Sequence, residues 1–174
     1  RHSIIGVIDV WPRRAKFLVS KTSTSAAIAA LVRAALIDWG VPEAVRTDNG
    51  SDYTSHHMRR VFAALQVEHK VCAPFTPEQK PHIERMFGTL TRDLFEQLPG
   101  YIGHSVAERK AIESRQSFAT RLSEGKDVIK VSLTGAELQA VLDRWCEDVY
   151  HHNTHRSLGC SPFEMVARWR GEVR

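Results

Sequence analysis

Hydrophobic residues recur with strand and helix periods along the start of the chain. Ser3 to Val10 is apolar and β-branched, and Ala15 to Ser20 alternates apolar with polar residues, so the two stretches predict a hairpin. Between Ile28 and Trp39 apolar residues follow the i, i+3, i+4, i+7 spacing of an amphipathic helix. Thr24 or Ser25 can cap that helix.

A strand-and-helix alternation continues beyond this helix. The predicted elements are a strand at Ala44 to Thr47, a helix at Ser55 to Leu65, a strand at Val67 to Cys72, a proline-rich loop at Ala73 to Pro81 and a helix at Ile83 to Leu98. The first of these strands runs into Asp48-Asn49-Gly50, which is typical of a turn. The pattern therefore predicts an α/β fold.

The pattern weakens after Pro99, where Val106 to Arg121 is a candidate helix. Thr134 to Glu137 has the spacing of a capping box and predicts a helix reaching about Tyr150. Ser161 to Glu164 repeats that spacing, with a proline at the first helical position. We expect residues 1–100 to form one α/β unit and residues 101–174 a helical extension of it.

Composition narrows the class of protein. The 174 residues are 43% hydrophobic and 25% charged, the proportions of a globular chain of one domain. No apolar run is long enough to cross a bilayer, so we expect a cytoplasmic protein with no membrane partner. Three cysteines without CxxC spacing favour reduced thiols, and a net charge of 24 − 20 = +4 permits a polyanionic partner.

Two acids stand where catalytic carboxylates are commonly found. Asp48 ends a predicted strand, and Glu84 lies in the first turn of a predicted helix, with 35 residues between them. Carboxylate oxygens suit Mg²⁺ or Mn²⁺, and with a third acid two such residues can hold two ions for phosphodiester displacement. Taken singly, Asp48 could be an ordinary turn residue and Glu84 could merely compensate the helix dipole.

The motifs around these acids resemble a known superfamily. TDNGSDYTS at Thr47 to Ser55 and PFTPEQKPHIERMFGTL at Pro74 to Leu90 are similar to the catalytic core of DDE transposases and retroviral integrases, including the spacing of the last two acids. The KPxxER run within the second motif, LPGY at Leu98 to Tyr101 and YHHNTHRSLGCSPFE at Tyr150 to Glu164 look most like transposases related to that of phage Mu.

This resemblance implies a ribonuclease H-like mixed sheet flanked by helices, with residues 1–100 as a partial catalytic core and residues 101–174 completing it. It implies that Asp48 and Glu84 are catalytic metal ligands for two Mg²⁺ or Mn²⁺ ions. Gln79, Lys80 and Arg85 would contact DNA. The implied reaction hydrolyses a phosphodiester at a transposon end and joins the new 3′-OH to target DNA, in a homo-oligomer of a bacterial or phage-encoded, nucleoid-associated protein.

The superfamily uses three acids, and Asp9 is the tempting first one. A ribonuclease H-like core has three antiparallel strands before its first helix, whereas this chain offers two. We therefore expect the first strand and its catalytic Asp to lie upstream of Arg1, and Asp9 to be a hairpin residue that bonds the turn backbone. The metal site would then be incomplete in this chain.

Three alternatives stay open at the sequence level. An incomplete site favours a fragment that only binds DNA or assembles with other subunits, and a ribonuclease H-fold nuclease without strand transfer is a second alternative. His151, His152, His155 and Cys160 could instead be drawn as a zinc site. Further basic residues could contact phosphate, namely Arg13, Arg14, Lys16 and Arg92.

Overall fold

The computed structural model describes residues 2–74, 76–98, 133–169 and 171. Its elements are β1 (Ser3–Ile8), β2 (Ala15–Ser20), α1 (Ser25–Trp39), β3 (Ala44–Thr47), α2 (His56–Ala64), β4 (Glu68–Val71), α3 (Pro81–Asp93), α4 (Gly135–Arg144) and α5 (Pro162–Ala167). Short 3₁₀ turns cover Pro77–Gln79 and Phe95–Gln97, and a π-helical turn covers Trp145–Tyr150. The α/β class predicted from periodicity is confirmed.

The predicted hairpin is present, with β1 and β2 antiparallel from Ser3↔Ser20 to Ile8↔Ala15. The first strand ends at Ile8 rather than at Val10, because the backbone turns from Asp9 onward. The Asp9 amide donates to the Arg14 carbonyl and the Arg13 amide to the Asp9 carbonyl, each at 2.9 Å. Arg13 closes the turn in the left-handed region, with φ of 64°.

The first helix begins and ends where its capping residues predict. The Ala27 amide donates to the Thr24 hydroxyl at 3.2 Å, so Thr24 rather than Ser25 is the N-cap. Gly40 adopts φ of 87° just past the last turn, and its amide donates to the Leu36 carbonyl at 3.0 Å. A positive φ is easily adopted only by glycine, so α1 stops there.

The second pair of strands is parallel. β3 and β4 pair from Ala44↔Glu68 to Thr47↔Val71, with α2 as their crossover helix and Ser55 as its N-cap. Among the described residues, β1 hydrogen bonds to β2 and β3 to β4, in two separate two-stranded sheets. Ser3–Ile8 therefore does not pair with the strand that leads to Asp48, as the strand count predicted.

One apolar core joins these elements. Six residues of β1, α1, α2 and the position just before β4 are buried in one cluster: Ile5, Ile28, Leu31, Met58, Phe62 and Val67. Met58 is fully buried and Phe62 is 2% exposed. Because β3 packs its Val45 against the same cluster, this core supports the strand from which Asp48 emerges.

The stretch between β4 and α3 differs from the prediction. The loop predicted at Ala73 to Pro81 contains the 3₁₀ turn at Pro77–Gln79, and α3 begins at Pro81 rather than at Ile83. A proline fits the first turn of a helix because its missing N–H would have no intrahelical partner there. The helix ends at Asp93, followed by the 3₁₀ turn, and so does not run to Leu98.

The helix predicted to run to Tyr150 changes its winding at Trp145. Residues Gly135–Arg144 are α-helical and Trp145–Tyr150 form a π-helical turn. The Trp145 ring lies 6.3 Å from that of Phe17 and 5.1 Å from that of Tyr150. The second capping box is confirmed, since the Glu164 amide donates to Ser161 Oγ at 3.1 Å and the Ser161 amide donates to the Glu164 carboxylate at 2.9 Å.

Gln139 and His151, from the C-terminal part of the chain, form hydrogen bonds with the backbone along the outer edge of β2. Gln139 Oε1 accepts from the Val19 amide at 2.7 Å, and its Nε2 donates to the Phe17 carbonyl at 3.0 Å. His151 Nε2 accepts from the Ala15 amide at 3.0 Å. These contacts satisfy backbone groups that an edge strand otherwise leaves open to another chain.

Contacts within the chain divide it into two units, residues 1–86 with 135–174, and residues 87–134. The helix predicted at Val106 to Arg121 and most of LPGY lie outside the described residues, and the proposed division at residue 100 stays a prediction. The three cysteines are free, as predicted, and all three are buried. Within the described ranges, no helix has both the length and the apolar composition needed to cross a membrane.

The Gln139 contacts predict a measurable stability loss. Replacing Gln139 by Leu leaves the Val19 amide and the Phe17 carbonyl without their side-chain partners, so we expect the free energy of unfolding to fall by about 1–3 kcal/mol. Urea denaturation followed by circular dichroism measures it. Gln139→Glu keeps an acceptor for Val19 but sets a carboxylate against the Phe17 carbonyl and the Asp143 carboxylate, so it should not recover the lost stability. An unchanged midpoint in Gln139→Leu would show that water replaces the amide fully.

Candidate active site

Asp48 leaves β3 at the edge where both parallel strands end. The Cys72 amide donates to the Thr47 carbonyl at 2.9 Å, which brings the chain leaving β4 next to Asp48. A cleft of about 350 Å³ opens there, lined by Asp48, Asn49, Cys72, Ala73, Pro74, Thr76, Lys80 and Glu84. The two acids singled out in the sequence thus lie on one cleft.

A tight turn fixes the Asp48 carboxylate. Its Oδ1 accepts from the Gly50 amide at 3.0 Å. A β-carbon at Gly50 would lie 3.0 Å from that same oxygen and 3.3 Å from the Tyr53 ring. A side chain at position 50 would therefore require the Asp48 carboxylate or the Tyr53 ring to move by a few tenths of an ångström.

Gln79 ties the loop between β4 and α3 both to itself and to β3. Gln79 Oε1 accepts from the Ala73 amide at 3.0 Å, and the Gln79 carbonyl accepts from Arg46 Nη1 at 2.9 Å. Gln79, predicted to contact DNA, therefore also holds the loop that forms one wall of the cleft.

Lys80 places a positive charge beside Asp48. Its Nζ lies 3.4 Å from Asp48 Oδ2, and the two side chains are 32% and 44% exposed. An ion pair this open to solvent contributes little to stability. Lys80 also lines the cleft, so its ammonium group places a positive charge beside the carboxylates there.

Glu84 lies in the first turn of α3, as predicted, and is exposed on the cleft. Arg85 and His82 lie about 100° and 160° around the helix from Glu84, at 100° per residue. They thus occupy a different face of α3 from the carboxylate.

Two further basic residues, Arg13 and His155, lie near enough to His82 for their charges, after burial, to lower its pKa. Burial chiefly, and then the charges of Arg13 and Arg85, lower the pKa of both His82 and His155. Burial also lowers the pKa of Arg13, with the nearby charge of Arg85 adding to the effect. Arg13, His82, Arg85 and His155 are called the basic cluster below.

Asp9 is a hairpin residue, as predicted. Its Oδ1 accepts from the Trp11 amide at 3.2 Å, and its Oδ2 pairs with Arg14 at 3.1 Å. In the described part of the chain, His, Cys, Asp and Glu side chains form no group of three or more that could hold a metal ion. Asp9 therefore does not complete a three-acid site with Asp48 and Glu84.

Since the described residues contain no such group, the zinc site drawn from His151, His152, His155 and Cys160 is also excluded. His155 and Cys160 are neighbours through their backbones, with the His155 amide donating to the Cys160 carbonyl at 2.9 Å. The His155 ring instead contacts the Ser157 hydroxyl at 3.1 Å. His151 lies against β2, where burial chiefly lowers its pKa.

Asp48 and Glu84 fit a hard divalent cation by donor type. Both supply carboxylate oxygens to one solvent-open cleft. Mg²⁺ is commonly bound through one or two protein carboxylates, with water and substrate phosphates filling its other positions. The pair can therefore contribute to a Mg²⁺ or Mn²⁺ site.

Sequence reasoning missed three residues that surround Asp48. Thr47 Oγ1 donates to the Asp48 carbonyl at 3.0 Å and lies 2.9 Å from His69 Nε2. Burial, followed by the charges of Asp48 and Asp52, raises the pKa of Tyr53. Tyr53 and Thr47 stand inside the quoted motif, but the contact of His69 depends on the register of two strands, which no local pattern reveals.

The parallel strand pair and its crossover helix are typical of α/β folds, and comparisons with known proteins identify this one as ribonuclease H-like. The family described as the TnsB C-terminal domain matches residues 17–100. The transposase for transposon Tn552 of Staphylococcus aureus is 39% identical over 83 residues, which are 48% of this chain and 17% of that protein. The chain thus spans a small part of that relative.

Solved structures show the same fold. The simian T-cell lymphotropic virus intasome in complex with PP2A regulatory subunit B56 gamma matches with a TM-score of 0.68 and 16% identity, over 99% of this chain and 51% of that one. The HTLV-2 integrase catalytic core domain in complex with magnesium matches with a TM-score of 0.61 and 13% identity, over 94% and 84%. The resemblance to the DDE transposase and retroviral integrase superfamily is confirmed.

The crowding at Gly50 predicts that Gly50→Ala weakens cation binding. The new β-carbon displaces Asp48 Oδ1 or the Tyr53 ring, so we expect Mn²⁺ affinity at the cleft to fall by about tenfold, the loss usual when a ligand is misoriented. Broadening of the Asp48 and Asn49 amide signals during a Mn²⁺ titration measures it.

Gly88→Ala is the matched control, because its β-carbon would meet only Arg92 Nη1, at an ordinary 3.7 Å. It should leave the titration midpoint unchanged and stabilise α3 by about 0.5–1 kcal/mol. Equal midpoints for Gly50→Ala and the unmodified chain would contradict the crowding argument.

Proposed function

We propose that this chain is a catalytic-core region of a DNA transposase, in which Asp48 and Glu84 hold divalent metal for cleavage and joining of DNA ends. The observation that carries the proposal is the placement of both acids on one cleft at the carboxyl end of β3. The sequence similarity to a transposase and the integrase-core fold support the same reaction class.

The proposed reaction is a pair of phosphodiester displacements. In the first, a water oxygen bonds to phosphorus, the P–O bond to the 3′ oxygen breaks, and that oxygen leaves as a 3′-OH. In the second, the 3′-OH attacks a phosphodiester of target DNA and displaces its 3′ oxygen. Divalent metal bound at such a site activates the attacking oxygen and stabilises the leaving one.

The residues of this chain have separate proposed tasks around these steps. Asp48, fixed by the Gly50 amide, and Glu84, at the start of a regular helix, present oxygens to one cleft. Lys80 offers its ammonium group to a phosphate at the rim, while Gln79 keeps the adjoining loop in place. Arg85 would hold the DNA backbone from the neighbouring face of α3.

A second candidate function is a region that binds DNA or other subunits without cutting. One specific observation favours it, since the described residues bring only two of the three expected acids together. A nuclease that cuts without joining is a third candidate. Separating these functions requires an assay that detects both nicked and joined products.

The catalytic proposal predicts loss of chemistry without loss of binding. In the full-length protein, Asp48→Asn and Glu84→Gln should each lower end cleavage and joining by about 100- to 1,000-fold or more, because each loses a charged metal ligand worth several kcal/mol in the transition state. DNA affinity measured without divalent metal should not fall, because each variant removes a negative charge and no phosphate contact.

Asp52→Asn and Glu78→Gln make the same chemical changes at nearby acids outside the cleft lining. They should keep full activity. Joining at the unmodified rate by either cleft variant would rule out the assignment, whereas cleavage without joining in the unmodified protein would support the nuclease.

The basic cluster predicts a salt-dependent loss of DNA binding. The variant Arg13→Gln with Arg85→Gln should bind duplex DNA more weakly, whatever its sequence, and the slope of log Kobs against log salt should become shallower by about 0.9 for each phosphate contact removed. Fluorescence anisotropy at several salt concentrations measures both. Arg33→Gln, an exposed cation on α1, is the matched control, and an unchanged slope in the double variant would exclude the cluster from the interface.

A further inference from the structure

His69 and Thr47 meet across the parallel strands that lead to the cleft. The register pairs Val45 with His69 and Thr47 with Val71, so Thr47 and His69 are diagonal neighbours on one face of the sheet. Thr47 Oγ1 lies 2.9 Å from His69 Nε2. The contact therefore follows from strand register and links β4 to the residue before Asp48.

The direction of each hydrogen bond follows from counting protons. Thr47 Oγ1 lies 3.0 Å from the Asp48 carbonyl, and a carbonyl can only accept. The single hydroxyl proton of Thr47 is therefore donated to the Asp48 carbonyl. In the contact between Thr47 and His69, the donor must then be His69 Nε2–H and the acceptor Thr47 Oγ1. The chain of donation runs from His69 to Thr47 to the Asp48 carbonyl.

The His69 ring is held in place by the core. Its centroid lies 4.7 Å from that of Phe62, which is 2% exposed. Burial, and then the charge of Arg59, lower the pKa of His69, which favours a neutral ring with one proton at neutral pH. A neutral ring held by packing presents that proton in a fixed direction.

We propose that His69 is a positioning residue for Asp48, acting through the Thr47 hydroxyl to fix the peptide that carries the carboxylate. The inference rests on the proposed function of Asp48 as a metal ligand. With the carbonyl held by Thr47 and Oδ1 held by the Gly50 amide at 3.0 Å, Asp48 is fixed at both ends. Neither His69 nor Thr47 is itself among the residues that line the cleft.

The Gly50 amide gives a readout of Asp48 orientation that needs no metal. In nuclear magnetic resonance spectra of this chain, we expect His69 to be the Nε2–H tautomer. In His69→Phe, which keeps an aromatic ring beside Phe62, and in Thr47→Val, we expect the Gly50 amide proton to move upfield because its bond to Oδ1 weakens. Thr47→Ser and His69→Gln, which keep a hydroxyl and an N–H donor, should stay close to the unmodified chain.

His57→Phe is the matched control, since it makes the same substitution at an exposed position of α2. It should leave the Gly50 amide unchanged. An Nδ1–H tautomer at His69 would overturn the proposal even if the variants fail to fold. Gly50 shifts that are identical in His69→Phe, Thr47→Val and the unmodified chain would also overturn it.

Activity measurements distinguish the positioning role of His69 from the proposed role of Asp48 as a metal ligand. In the full-length protein, Thr47→Val should lower kcat by about 10- to 100-fold, as expected when a ligand loses its supporting hydrogen bond, while KM for DNA stays unchanged. Full activity of Asp48→Asn would refute the proposed function but leave the tautomer and the Gly50 shift to decide the positioning contact. Loss of activity in Asp48→Asn with normal kcat in Thr47→Val would refute the positioning role alone.

Discussion

The parallel pairing of β3 and β4 is the constraint on which the candidate site depends. Because parallel strands end at the same edge, the register Thr47↔Val71 brings Asp48 and the loop that follows Cys72 together. That loop then carries Lys80 and the first turn of α3 to the same cleft. A slip of one residue in this pairing would turn the side chains of the shifted strand to the opposite face of the sheet. His69 and Thr47 would then no longer share a face.

Much of this arrangement follows from local sequence signals. Thr24, Ser55 and Ser161 cap the helices that begin after them, and Asp48 ends its strand at a turn that needs a small residue at position 50. Such signals act over three or four residues, so they can be recognised in the local sequence. The start of α3 is less clear from the sequence, because Pro81 can equally well belong to the loop before α3 or to its first turn.

Long-range contacts could not be predicted in the same way. The bonds of Gln139 to Phe17 and Val19 join residues about 120 positions apart, and nothing around position 139 marks that glutamine as a partner of a strand edge. Trp145, the first residue of the π-helical turn, likewise packs against Phe17 of β2, far away in the sequence. The role of Asp9 as a hairpin residue follows only from the number of strands before α1 taken together with its place at the hairpin.

The charges around the cleft imply that metal and DNA affect each other's binding. Asp48 and Glu84 present negative charge to the same space through which a phosphodiester would pass, and a polyanion is repelled there as long as both are uncompensated. Lys80 offsets part of that charge, with its Nζ 3.4 Å from Asp48 Oδ2. If a divalent cation binds the two carboxylates, the repulsion becomes attraction, so DNA should bind more tightly in its presence. Linkage then requires DNA to raise the affinity for the metal by the same factor. A cleft with two carboxylates is therefore best suited to hold its metal when DNA is present, since phosphate oxygens supply ligands that the described residues do not.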